Sequence, residues 1–103
     1  MKQHLYEVNV KHLADAQGNP STYSEALQFQ VGNHDDIFKI LEKLQASQLL
    51  DEESTKAFVI GLKLFSEVML ENKESPLFKE FLPQFAQFMK SLKQTVKAQS
   101  EEQ

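Results

Sequence analysis

An α+β fold, a β-hairpin packed on three helices in the order ββααα, is what this sequence predicts. Three observations lead there. Between His4 and Val31 apolar residues recur at every second position, the period of a strand with one covered face. From Asp35 onward the apolar period lengthens to that of a helix. Residues 57–72, AFVIGLKLFSEVMLEN, carry apolar side chains on most of their sides, which predicts one long helix that the rest of the fold covers.

The elements follow in order. In residues 4–13, Tyr6, Val8 and Val10 point one way and Glu7, Asn9 and Lys11 the other. Residues 14–22 read as a loop with Gly18-Asn19-Pro20 as its turn. Residues 23–31 alternate again, with Tyr23, Leu27, Phe29 and Val31 on one face, so the two segments form an antiparallel hairpin. Gly32-Asn33 ends the second strand, and Asn33 is the expected N-cap of the first helix, with Asp35 and Asp36 at its positive end. That helix presents Ile37, Ile40, Leu41 and Leu44 and ends near Ala46. Asp51 caps the second helix, the long one. Ser75-Pro76 starts a third, in which Phe78, Phe81, Leu82, Phe85, Phe88, Met89, Leu92 and Val96 keep one helical phase across Pro83. The expectation is a last helix kinked near Pro83, or a short helix followed closely by a longer one.

Composition narrows the function. Net charge is −4 and all eleven basic residues are lysine. Arginine is the side chain suited to bidentate phosphate and base-edge contacts, so no nucleic acid is expected as a partner. The chain has no cysteine, hence no disulfide, thiolate metal site or cysteine nucleophile. The alternating N-terminus lacks the continuous apolar segment of a signal peptide, and no stretch reaches the length of a membrane span. These features point to a cytoplasmic protein with no membrane partner. Residues 1–97 suffice for one domain with one core, and 98–103 read as a polar tail that frays.

Candidate sites are few. His34, Asp35 and Asp36 form the densest polar cluster, able to bind a ligand or exchange a proton, although helix capping accounts for most of it. His4 and His12 lie near the ends of the first strand, and a zinc site would need both to converge with His34, so no metal or other cofactor is expected. No phosphate-binding glycine loop, dinucleotide fingerprint or nucleophile elbow is present. Gly61 in mid-helix costs about 1 kcal/mol against alanine. With Ala57 one turn earlier, it suggests that another element crosses closely there. The phenylalanine stripe of the last helix, with Phe85 and Phe88 at its middle, is core or a partner-binding face. A two-stranded sheet leaves both edges unpaired, which predicts a homodimer through a hairpin edge.

The blocks Asn33-His34-Asp35-Asp36-Ile37-Phe38 and Ile60-Gly61-Leu62-Lys63-Leu64-Phe65-Ser66-Glu67-Val68, with Leu77-Phe78, Phe85, Phe88-Met89-Lys90 and Leu92-Lys93, resemble a family of small bacterial proteins known only as an α/β domain of unknown function. The resemblance runs over residues 2–93 and implies a bacterial, cytoplasmic, stand-alone domain, with no activity or cofactor attached. It draws attention to Lys63 and Glu67, which either pair at i, i+4 on the surface or, if buried, need partners among His34 and its aspartates. The function these readings favour is a non-enzymatic, self-associating interaction or regulatory module. The alternative is a small-molecule or metal-binding domain built on His34, Asp35, Asp36, Lys63 and Glu67.

Overall fold

The structure is a computed structural model that describes residues 2–101, with side chains described through Gln99. Its elements are β1 (His4–Val10), β2 (Leu27–Asn33), α1 (Ile37–Ser47), α2 (Glu52–Glu71), α3 (Pro76–Lys79) and α4 (Leu82–Glu101). This is the α+β order expected, a hairpin followed by helices, with four helical segments in place of three. The chain divides into two compact units, Met1–His34 and Asp35–Gln103.

The first unit is an antiparallel pair in which Tyr6 faces Val31, Val8 faces Phe29 and Val10 faces Leu27. The apolar residues therefore share one face, as their alternation requires. Tyr6, Val8 and Val31 are half-buried, whereas Val10, Leu27 and Phe29, toward the loop, are exposed. Both strands are offset from expectation: β1 stops at Val10, and β2 starts at Leu27 and continues through Gly32 to Asn33. The intervening segment, residues 11–26, has its own local bonds, among them Ser21 N–H to the Leu13 carbonyl and a bridge between Ala14 and Pro20. Asp15 accepts the backbone N–H groups of Gln17 at 3.0 Å and Asn19 at 2.9 Å. These bonds, Asn19 foremost, hold the Asp15 carboxyl below its ordinary pKa. Gly18 takes φ +91°, a conformation an L side chain rarely adopts. His12 Nδ1 lies 2.6 Å from Ser21 Oγ, and its ring meets Tyr23 edge-on.

In the second unit α1 packs on both α2 and α4. Its apolar core is Ile37 and Leu44 of α1, Val59 and Met69 of α2, and Val96 of α4. The cap of α1 is Asp36 and not Asn33: its side chain accepts from the N–H groups of Phe38 and Lys39. Asn33 stays in β2, opposite His4, and Asp36 offers the same kind of side-chain oxygen three residues later. Gln48, at φ 57°, closes the far end of α1. Asp51 caps α2 as expected, accepting from Ser54 N–H at 2.7 Å, a bond that lowers the Asp51 pKa. Glu52 and Glu53 occupy the first turn, and both pair with Lys56.

The aromatic segment breaks and does not kink. α3 ends at Lys79, and α4 starts at Leu82, so Pro83 is its second residue. An N–H there has no intrahelical acceptor, and a proline loses nothing. Of the two forms expected for this segment, the short helix followed by a longer one is the form present. α4 also continues through residues 98–101, where fraying was expected; residues 102–103 lie outside the described residues.

Candidate functional site

α2 inverts the usual sorting of side chains. It buries three polar residues, Thr55, Ser66 and Glu67, beside Val59 and Met69, and it exposes Ile60, Phe65, Val68 and Leu70. The expectation that the fold covers the whole helix therefore fails on one side. The buried hydroxyls need no distant partner, because each donates to its own helix or cap: Thr55 to the Asp51 carbonyl at 2.7 Å and Ser66 to the Lys63 carbonyl at 3.3 Å. Glu67 is only 4% exposed and takes part in polar contacts. Among the described residues no buried side-chain nitrogen or oxygen lacks a hydrogen-bond partner.

One turn before Glu67, Lys63 reaches across to the start of α1, where its Nζ lies 2.6 Å from Asp35 Oδ2. The Lys63 side chain is 15% exposed and that of Asp35 50%. The pair ties the entrance of α1 to the middle of α2, in a place less screened than open water. The structure thus brings together three of the five residues singled out at this cluster, Lys63 and Asp35 as an ion pair and Asp36 as the adjoining cap. Asp36 accepts both backbone N–H groups on Oδ1, which assigns that oxygen to the cap. His34 is exposed and belongs to the first unit, at the end of β2. Among the described residues no three His, Cys, Asp or Glu side chains are grouped to hold a metal ion. His4, the first residue of β1 and opposite Asn33, and His12, two residues past Val10, stand at opposite ends of that strand. A shallow hollow of about 440 Å³ at the opposite end of α1 is lined by Gln45, Gln48, Leu50, Asp51 and Glu52.

The phenylalanines form a seam between α2 and the α3–α4 segment. Phe65 touches Phe78, Phe81 and Phe85 with ring centroids 6.1–6.4 Å apart, and Phe58 meets Phe88 edge-on at 6.3 Å. Such edge and tilted contacts add about 0.5–1.5 kcal/mol each beyond the area they bury. Phe85 is half-buried in the seam, and Phe88 stays open. Sequence reading singled out these two and missed that Phe65, Phe81, Ile60 and Val68 stay open as well. The available signal was the number of apolar sides on α2, more than its neighbours could cover. Gly61 and Ala57 are exposed, and nothing stands within 4 Å of where a Gly61 Cβ would be, so, contrary to expectation, no element crosses there among the described residues. Among the described residues no helix is long and apolar enough to cross a membrane.

An N-terminal antiparallel hairpin followed by a short-connected set of helices defines a small α+β domain. The chain belongs to the family described as a domain of unknown function with a solved structure (DUF3861), which it matches over residues 4–94. It is similar to a protein of unknown function from Pectobacterium atrosepticum, known from a crystal structure: 40% identity, a TM-score of 0.77, and coverage of 90% of this chain and 99% of that one. None of the curated proteins matches it.

Proposed function

We propose that this protein is a non-enzymatic interaction module of the bacterial cytoplasm that acts by self-association. The observation that carries the reading is the inverted sorting on α2, where Ile60, Phe65 and Val68 stay exposed while Thr55, Ser66 and Glu67 are buried. Apolar side chains left open beside one another gain free energy when a partner covers them. Phe88 extends the open surface onto α4, where the half-buried Phe85 touches Phe65 and Phe81. The two-stranded hairpin, with Val10, Leu27 and Phe29 open, offers a competing surface for the same self-association. Sedimentation velocity at increasing concentration tests the reading: a reversible dimer is expected, and a monomer throughout would overturn it.

The second reading, a ligand site at the start of α1 with His34, Asp35, Asp36, Lys63 and Glu67, has one observation in its favour. A covered lysine and a buried glutamate lie one turn apart in mid-helix. The Lys63–Asp35 bond weighs against it, since the charges already satisfy each other. A thermal-shift screen with divalent cations and small acids decides: a bound ligand raises the melting temperature with the logarithm of its concentration.

A further inference from the structure

We infer that the exposed face of α2 around Gly61, continued by the open edges of Phe81 and Phe88, is the surface on which a second copy of this chain docks, α2 against α2 across a two-fold axis. The inference rests on the self-association reading and adds the surface to it. Ile60 is 39% exposed, Phe65 43% and Val68 48%, and they share one side of the helix with Gly61. Between Ile60 and Val68 the two charged residues, Lys63 and Glu67, are largely covered, so the centre of the open surface carries no charge, and the exposed Glu53 and Glu71 stand at its two ends. Phe65 carries this face into the seam, where it touches Phe81, 39% exposed, and Phe88 follows at 46%.

The area fits a dimer. A phenylalanine side chain offers about 200 Å², so the open parts of three rings leave roughly 250 Å². Ile60 and Val68 raise the apolar surface to roughly 400 Å², and Ala57 and Leu64 add to it. A standard interface takes about 800 Å² from each partner, and in homodimers about 65% of it is apolar, or about 500 Å². The open face supplies most of that. Interfaces with unrelated partners are on average no more apolar than the surface at large, whereas homodimer interfaces are, with charge excluded from their centres. A two-fold axis also asks one patch to fit itself, and glycine at the centre lets two helix backbones approach without a side chain between them.

The test compares wild type with Val68→Lys and Gly61→Lys on α2 and with Leu27→Lys on the hairpin, by sedimentation velocity with circular dichroism on the same samples. The expected result is a wild-type dimer, dimeric Leu27→Lys, and α2 variants of wild-type helicity whose dissociation constants rise at least a hundredfold, because each substitution counts twice in such an interface. Should Val68→Lys lose helicity, Gly61→Lys decides alone, since the space around Gly61 accepts a side chain. Folded α2 variants that remain dimeric would overturn this surface and leave self-association standing. Equal weakening by Leu27→Lys would overturn it too, by making the effect generic. A wild type monomeric at every concentration would end the underlying reading itself.

Discussion

At Lys63 and Glu67 the sequence offers an i, i+4 pair whose worth depends entirely on burial. Exposed, such a pair contributes about 0.3–0.5 kcal/mol. Here Glu67 is covered and Lys63 bonds Asp35, so neither side chain is the solvent-exposed surface group that such a small value describes. Replacing Glu67 with alanine strips a buried polar group from its hydrogen-bond partners, which costs about 1–3 kcal/mol. Urea unfolding of Glu67→Ala is expected to show a loss in that range, and a loss below about 0.5 kcal/mol would mean the side chain is solvated. At Asp51 the relevant variable is pH. The Ser54 N–H holds its folded pKa below the ordinary 3.8, so its contribution is present above that value and is lost as pH falls through the lower, folded one. Asp51→Asn keeps an acceptor for Ser54 and removes the titration, so its stability is expected to fall less steeply below about pH 4 than that of wild type. Asp51 was legible in the sequence as a cap, and Lys63 and Glu67 as part of a block that carries the family resemblance. That Asp35 would be the partner of Lys63 was legible only as one of several options, because spacing along a helix says nothing about what lies across from it.

The elements show where local signals suffice. Asp51 and Pro76 mark their helices through local geometry, Asp51 by its bond to Ser54 N–H and Pro76 as a first helical residue, although Ser75 before it makes no side-chain capping bond; the strands are marked by the alternation of the faces they present. The strand ends were misread where the pairing changes register: Val10 faces Leu27, whereas further along Ala14 bridges Pro20 and Ser21 N–H donates to the Leu13 carbonyl, a shift that alternation does not reveal. Pro83 was ambiguous for a related reason: the apolar phase is the same for a kinked helix and for a new one that begins at Leu82. Glycine shows the contrast most clearly. Gly18 stands at positive φ in the hairpin loop, and Gly61 stands in an ordinary helix with open space around it. Gly18→Ala is expected to destabilise the chain by about 1 kcal/mol through strain, and Gly61→Ala to stabilise the unassociated chain by about as much through lost unfolded-state freedom. Chemical unfolding of both variants under dilute conditions checks the pair; the same sign in both would mean that one of the two backbone conformations is wrong.

At the scale of the whole molecule the decisive fact is how little of the apolar pattern is covered. Among the described residues five apolar side chains, Ile37, Leu44, Val59, Met69 and Val96, are buried, while the phenylalanines of the seam remain partly open. Periodicity announces which residues want cover, and it cannot say whether the cover comes from the same chain. An uncovered set this large makes stability depend on assembly, and that dependence can be measured without choosing a surface. If two folded chains associate and unfold to separate ones, a tenfold rise in concentration stabilises the dimer by about 1.4 kcal/mol, or about 0.7 kcal/mol per chain. For a chain of this length, with an unfolding entropy near 2.1 cal/mol/K per residue, that raises the melting temperature by about 3 °C. Calorimetry over two decades of concentration is therefore expected to show a rise of about 6 °C in wild type and none in Val68→Lys. A melting temperature independent of concentration in wild type would mean that the open face of α2 contributes nothing to the stability of the fold.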